Sequence, residues 1–185
     1  MVSPPMYYLK WIVSLAMLVG CQAQPTPQPT PSLPPAHVET MPPGLPWVHV
    51  EPAASQLKAG QSAPISVMVD NAQDLFGAEL YLAYDPAVIE VQDEDTATQG
   101  VQVKVGDLLA ADFVAFNQVE AGVIGIAFLQ LPPRQPVTGT GQLIGLTVVG
   151  LAPGTTAITL GAKLADSAGN PISTNVTHGQ LTVTQ

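Results

Sequence analysis

The side chains that most often carry chemistry are few in this sequence, and they form no obvious catalytic set. The chain has a single cysteine, Cys21, and only three histidines. One cysteine excludes an intrachain disulfide and a multi-cysteine metal site. No Ser/His/Asp combination stands out, and nearly all carboxylates lie at predicted turns rather than as a pair converging on a cleft. We therefore expect no catalytic residues and no enzyme activity.

The one dense acidic cluster is Asp93-Glu94-Asp95. Its carboxylates are ligands that Ca²⁺ accepts, so a calcium site is one interpretation. A solvated loop between two strands is the favoured interpretation, because nothing else in the sequence points to a metal. We expect no metal site and no cofactor.

Cys21 stands where a lipid-modified residue would stand. Lys10 is followed by an apolar run over residues 11–19, which is too short to span a membrane as an ordinary helix. Leu18-Val19-Gly20-Cys21 then resembles the lipobox of bacterial lipoproteins. The resemblance implies that residues 1–20 are an export signal, and that cleavage before Cys21 is accompanied by attachment of a diacylglycerol to its thiol. The alternative is an ordinary secretory signal followed by an incidental cysteine. The lipoprotein interpretation predicts an exported chain, anchored to the cell envelope outside the cytoplasmic membrane.

Residues 21–46 have the composition of a linker. Nine of the 25 residues from 22 to 46 are proline, and Glu39 is the only charged residue among them. Such spacing favours polyproline II, an extended and semi-rigid conformation that needs no packed core. We expect a disordered spacer that could hold the following domain up to about 75 Å from the membrane, at roughly 3 Å per residue.

The charge of the chain argues against one class of partner. The net charge is -9, from 5 basic and 14 acidic residues. Removal of the export signal takes away Lys10 and leaves 4 minus 14, or -10. A nucleic-acid-binding surface needs a basic footprint, so no nucleic acid partner is expected.

Residues 47–185 have the pattern of an all-β domain. Short apolar or alternating runs are separated by Gly, Pro, Asn and Asp turns, and no segment keeps helical periodicity over three turns. This pattern predicts a two-sheet β-sandwich of the jelly-roll type. The candidate strands are 48–51, 63–70, 77–84, 88–91, 101–105, 113–118, 123–131, 142–149, 157–160 and 180–184.

Alternation predicts which side chains face the core. In the run from Gly77 to Tyr84, the residues Leu80, Leu82 and Tyr84 face one side, and Glu79, Tyr81 and Ala83 face the other. The apolar set is the expected core set. The full predicted core comprises Leu80, Leu82, Tyr84, Phe116, Ile126, Phe128, Leu146 and Val148.

A hairpin is predicted around Glu120-Ala121-Gly122. A three-residue loop that ends in glycine suits a type I turn followed by a left-handed residue. This loop pairs Val119 with Val123 and Asn117 with Gly125. It places Phe116 inside and Asn117 outside. Gly106 and Gly122 are both predicted to be turn residues.

The motifs of this domain, taken in order, resemble those of the cohesin family. The best segment is Gly77-Ala78-Glu79-Leu80-Tyr81-Leu82-Ala83-Tyr84-Asp85-Pro86, a strand that ends in Tyr-Asp-Pro. Further segments that resemble the family are 106–109, 122–128, 139–143, 154–160 and 166–172. The resemblance implies a sandwich related to carbohydrate-binding modules. It also implies a protein-binding module that receives dockerins, which are small calcium-loaded helical domains, on one sheet. The family's recognition strand carries a polar residue at the position of Glu79 and another at the position of Gly77, where this chain departs from the pattern.

The predicted binding face is the outward side of one sheet. Its residues are Glu79, Tyr81, Ala83, Asn117, Gly125, Ala127, Leu129, Gly145 and Thr147. Such a small, apolar surface with one aromatic anchor is typical of a partner interface. The first hypothesis is docking of a dockerin-bearing secreted protein, in the context of polysaccharide breakdown. The second is a carbohydrate-binding module that binds polysaccharide directly, and the third is an envelope domain with no dedicated ligand.

Overall fold

The structure is a computed structural model that describes residues 44–120 and 122–185. The predicted export signal, Cys21 and the linker as far as residue 43 lie outside the described residues. None of the described residues belongs to a helix that is long and apolar enough to cross a membrane.

The described elements are all β-strands, which confirms the predicted all-β class. In chain order they are β1 (Trp47–Glu51), β2 (Ala54–Lys58), β3 (Ser62–Ala83), β4 (Ile89–Val91), β5 (Lys104–Val105), β6 (Phe113–Glu120), β7 (Val123–Leu129), β8 (Val137–Gly150), β9 (Gly154–Asp166), β10 (Pro171–Ile172), β11 (Asn175–Thr177) and β12 (Gly179–Thr184).

Strand β3 joins the two layers of the sandwich. Two separate strands were predicted over its length, because Asp70-Asn71-Ala72-Gln73-Asp74 looks like a turn. The structure instead has one strand with register shifts between Val69 and Leu75. Asn71 and Asp74 take positive φ values of 53° and 54° there. These irregularities are β-bulges, which bend a strand without ending it.

Each half of β3 belongs to a different layer. Its first half pairs with β1 and β8, and β1 also pairs with β11. We call this layer the back sheet; β4 and β5 extend it on the far side of β8. The second half pairs with β7 and β9. This layer, the front sheet, continues from β7 to β6 and from β9 to β12 and β2.

One hydrophobic core lies between the sheets. It takes valine, leucine and isoleucine side chains from strands of both layers, such as Val48 and Ile144 in the back sheet and Leu80 and Ile126 in the front sheet. Of the predicted core residues, Leu80, Leu82, Ile126, Phe128, Leu146 and Val148 are at most 4% exposed. Tyr84 is partly buried and packs against this core.

The predicted placement of Phe116 is wrong, because the hairpin loop is one residue shorter than expected. Glu120 pairs directly with Val123, Val119 with Ile124, and Asn117 with Ile126. A one-residue change of register turns every side chain to the opposite face. Phe116 therefore lies on the outer face of the front sheet, and Asn117 lies on the inner side.

Candidate partner-binding face

The outer face of the front sheet is a grid of four strands and four rows. Period-2 alternation brings every second residue of β7, β3 and β9 to this surface. In β6, a bulge between Val114 and Phe116 keeps both Phe113 and Phe116 on the same side. The rows, read in that strand order, are Phe113–Leu129–Gly77–Ala165, Phe116–Ala127–Glu79–Lys163, Gln118–Gly125–Tyr81–Gly161 and Glu120–Val123–Ala83–Thr159. We call this surface the front face.

The front face is mostly small and apolar, with a few large side chains standing on it. Glycine and alanine occupy six of its sixteen positions, as the four rows show. Three of the larger apolar residues are exposed: Tyr81 is 41% exposed, Phe113 51% and Val123 47%. A surface of this kind is flat enough for a helix to lie on and offers aromatic anchors for it.

A charged cluster stands at the centre of the front face. The Lys163 Nζ donates to the Glu79 Oε1 at 2.8 Å, and the same ammonium lies 5.8 Å from the centre of the Tyr81 ring. The Lys163 ammonium, and after it the Tyr81 hydroxyl, lower the pKa of the Glu79 carboxyl. The same contacts raise the pKa of Lys163 and of Tyr81. The Glu79 carboxylate therefore already accepts hydrogen bonds from side chains of its own chain.

Gly125 allows two aromatic rings to meet above strand β7. Phe116 and Tyr81 flank it with ring centres 6.1 Å apart. A Cβ at position 125 would lie 3.2 Å from the Phe116 ring and 3.6 Å from the Tyr81 ring. A Cβ here would require the Phe116 ring to shift by a few tenths of an ångström, so glycine gives the two rings their closest approach to the strand.

Two shallow concavities lie on the front face. One, of about 290 Å³, has a mostly apolar lining that includes Ala127, Leu129 and Ala165. The other, of about 430 Å³, is lined by the two aromatic rings, Gly125, Gln118, Glu120 and Val123. The front face is therefore apolar at one end, and aromatic and acidic at the other.

The structure brings six of the nine predicted binding residues together on the front face. They are Glu79, Tyr81, Ala83, Gly125, Ala127 and Leu129. Asn117 is not among them: its amide group hydrogen-bonds to the backbone N–H and C=O of Val103. Gly145 and Thr147 belong to the back sheet, where β8 pairs with the first half of β3.

Sequence reasoning missed Phe116, Gln118 and Lys163 as residues of this surface. Phe116 and Gln118 were missed because the predicted hairpin register was wrong by one residue, which placed both side chains on the inner face. Lys163 was missed because β9 runs to Asp166, whereas the predicted strand ended at residue 160. Gly125 within β7 was the one available signal, because a glycine in a strand interior often marks close approach of another group.

The acidic cluster forms an ordered loop away from the front face. Asp93 accepts from the backbone N–H groups of Asp95 and Gln102, and Glu94 accepts from the Thr147 hydroxyl on the back sheet. In the described part of the chain, no group of three or more His, Cys, Asp or Glu side chains is placed to hold a metal ion.

Fold and surface together define a β-sandwich with a flat, exposed sheet face, which is the architecture of a binding module. The family model of the cohesin domain matches residues 48–183. The chain therefore belongs to the cohesin family. Cohesin domains are binding modules rather than enzymes. The sequence matches no curated protein.

Solved structures with this fold include several cohesins. A non-cellulosomal cohesin from the hyperthermophilic archaeon Archaeoglobus fulgidus is 22% identical, with a TM-score of 0.61 over 77% of this chain and 93% of that one. A chain in a type I cohesin–dockerin complex from Clostridium thermocellum is 15% identical, with a TM-score of 0.61 over 76% of this chain and 100% of that one. A type II cohesin domain from the cellulosome of Acetivibrio cellulolyticus is 18% identical, with a TM-score of 0.60 over 77% and 93%. At these identities the likeness is one of fold.

Proposed function

We propose that this chain is a cell-surface docking module that receives a dockerin-bearing secreted protein on its front face. The observation that carries the proposal is the front face itself, which is flat and apolar and has aromatic anchors. Tyr81 and Phe113 are large, rigid and exposed, and glycine and alanine lie between them. Membership of the cohesin family supports a protein partner, as do similar structures in which a cohesin is bound to a dockerin.

The apolar end of the front face supplies contact area, and its centre supplies an anchor. Leu129 is half-buried beside Gly77, where a Cβ would lie 3.2 Å from the leucine Cβ. A partner helix can thus approach the backbone of the second half of β3 closely. Interface energy usually concentrates in a few such aromatic and apolar residues.

A double variant, Tyr81→Ala plus Leu129→Asp, tests the front face. The full-length variant should fold, because both side chains lie on the outer side of the sheet, yet it should lose capture of dockerin-bearing proteins from the organism's secreted fraction. Circular dichroism checks folding, and mass spectrometry of the captured proteins identifies the partner. Tyr81→Ala plus Leu151→Asp is the matched control for the introduced charge, since Leu151 is 47% exposed and lies off the front face.

Three results distinguish the hypotheses. Loss of capture by the Tyr81→Ala plus Leu129→Asp variant, with only partial loss in the Tyr81→Ala plus Leu151→Asp control, supports docking on the front face. Equal capture by the wild type and a folded double variant places the interface elsewhere. Retention of the wild type on insoluble glycan, with no dockerin-bearing protein captured, overturns the proposal in favour of direct polysaccharide binding.

We also propose that the domain is held at the cell envelope through a lipid on Cys21. The lipobox-like sequence after a short apolar run supports this localisation. The proline-rich linker then separates the docking module from the membrane, so that a folded partner can reach the front face without contacting the lipid surface. A role in polysaccharide breakdown depends on what the captured partner does.

A further inference from the structure

The aromatic and acidic end of the front face has the chemistry of a site for a cation. Its floor is Gly125, and its walls are the rings of Tyr81 and Phe116. Gln118 and Glu120 follow Phe116 on the same face of β6, in the next two rows. Aromatic faces attract cations through their quadrupole, and a nearby carboxylate adds a charge-assisted hydrogen bond.

The chain already contains one such arrangement. Lys163 is held between the Glu79 carboxylate, at 2.8 Å, and the Tyr81 ring, at 5.8 Å from the ring centre. Glu79 is therefore occupied by a cation of the chain itself. A basic group of a partner would have to displace Lys163 to reach it, which makes Glu79 a poor contact for a partner's charge.

Among the described residues, no lysine or arginine forms an ion pair with Glu120. The described residues contain four lysines and arginines: Lys58, Lys104, Arg134 and Lys163. Arg134 forms an ion pair with Asp112, and Lys163 forms one with Glu79. Lys104 lies opposite Gly145 in the back sheet, and Lys58 lies opposite Thr184 of β12. No hydrogen bond or ion pair among the described residues reaches the exposed Glu120 carboxylate.

We propose that this concavity binds an arginine side chain of the docked protein. The guanidinium lies over the Phe116 and Tyr81 rings and donates to Glu120 and to the Gln118 amide oxygen. Arginine fits better than lysine because its planar group stacks on rings and offers several donors in one plane. The inference rests on the proposed docking function, and it states which partner residue gives the interface its charge specificity.

The probe for this site is N-acetyl-arginine amide, titrated into the full-length chain and followed by NMR. The Gly125 backbone amide and the Gln118 side-chain amide should shift as the probe is added. N-acetyl-citrulline amide has nearly the same shape without the charge, and its apparent affinity should be about fivefold weaker. Glu120→Gln should weaken the arginine probe by about the same factor. Glu51→Gln removes an exposed carboxylate at the end of β1 and should change nothing.

The outcomes separate this inference from the proposed function. Equal shifts with the arginine and citrulline probes, or unchanged shifts in Glu120→Gln, overturn the arginine site. If the dockerin-bearing partner is still captured, that failure leaves docking on the front face intact. Charge-dependent shifts at Gly125 and Gln118 support the site, and weaker capture of the identified partner by Glu120→Gln, but not by Glu51→Gln, supports its use in docking. If no partner is captured at all, the docking function fails independently of the probe result.

Discussion

The Asn117 side chain holds the segment 101–103 against strand β6. Its amide group accepts from the Val103 N–H at 3.0 Å and donates to the Val103 C=O at 2.7 Å, as a neighbouring strand would. The Val119 N–H, two residues along β6, donates to the Val101 C=O. Residues 101–103 are thereby fastened along the outer edge of β6 without forming a regular strand.

Replacing Asn117 should destabilise the fold. Val103 is 3% exposed, so Asn117→Ala leaves its buried N–H and C=O without partners, at a cost of about 1–3 kcal/mol. Chemical denaturation of the full chain measures the change in unfolding free energy. Gln118→Ala is the matched control, since Gln118 is exposed on the front face and should change stability by less than about 0.5 kcal/mol. Equal effects of the two variants would show that the Asn117 contacts do not stabilise the domain.

The Lys163 ammonium of the charged cluster should control the titration of the Glu79 carboxyl. Lys163 lowers the pKa of Glu79 below its ordinary value of 4.5. A lowered folded-state pKa contributes stability at pH values above that ordinary value, and the contribution disappears as the pH falls through the lowered pKa. Lys163→Met should raise the Glu79 pKa, which side-chain carboxyl NMR can follow. An unchanged Glu79 titration in the variant would exclude Lys163 as the cause of the shift.

At the scale of elements, close packing between β5 and β8 decides the role of Gly106. This glycine was predicted to be a turn residue, but its φ does not lie in the left-handed region, unlike that of Gly122 at +86°. A Cβ at position 106 would lie 2.1 Å from the backbone oxygen of Gln142. The Gly106 N–H also donates to the Leu143 C=O. The glycine therefore lets the segment after β5 lie directly against β8.

Gly106→Ala should force these two segments apart. Because the obstacle is backbone rather than a movable side chain, we expect a loss of about 1–3 kcal/mol in unfolding free energy. Gly161→Ala is the control: an added Cβ would find its nearest neighbours, in Tyr81, at 3.9 Å. Alanine in a strand interior should leave stability unchanged or raise it by roughly 0.5–1 kcal/mol. Comparable destabilisation by both substitutions would contradict the packing argument.

At the scale of the whole molecule, the long strand β3 makes the sandwich one cooperative unit. Its first half lies in the back sheet and its second half in the front sheet, so the core and the front face share one continuous backbone. Because strand β3 is anchored in both layers, we expect the front face to be rigid. A rigid, pre-formed surface loses little conformational entropy when a partner binds.

The proposed lipid anchor on Cys21 also concerns the whole molecule. Cys21→Ala should release the protein from the membrane fraction, or leave it as an uncleaved precursor, because its thiol is the proposed site of lipid attachment. Two or three acyl chains anchor a protein stably, whereas one chain does so only marginally. Detergent phase partitioning measures this directly. Recovery of the wild-type protein in the aqueous phase would overturn the lipoprotein assignment.

Much of the front face could be predicted because alternation within one strand is a local property. The order of residues from Gly77 to Tyr84 is enough to separate Leu80 and Leu82 from Glu79 and Tyr81, and the structure confirms this separation. The Asp85-Pro86 turn is equally local: the Asp85 carboxylate accepts from the Ala87 N–H at 2.9 Å, as expected for a turn cap.

The sequence by itself determined the all-β class, most of the core and the inward and outward sets of the central strands. Tertiary structure decided the sheet to which each outward set belongs, and the register between neighbouring strands. The bulges in β3 send its two halves into different layers, which separates Gly145 and Thr147 from Tyr81. A hairpin loop one residue shorter than expected exchanged Phe116 for Asn117 on the front face. The physical reason is that a period of two specifies alternation but not its phase across strands, so a single-residue shift reverses every side chain beyond it.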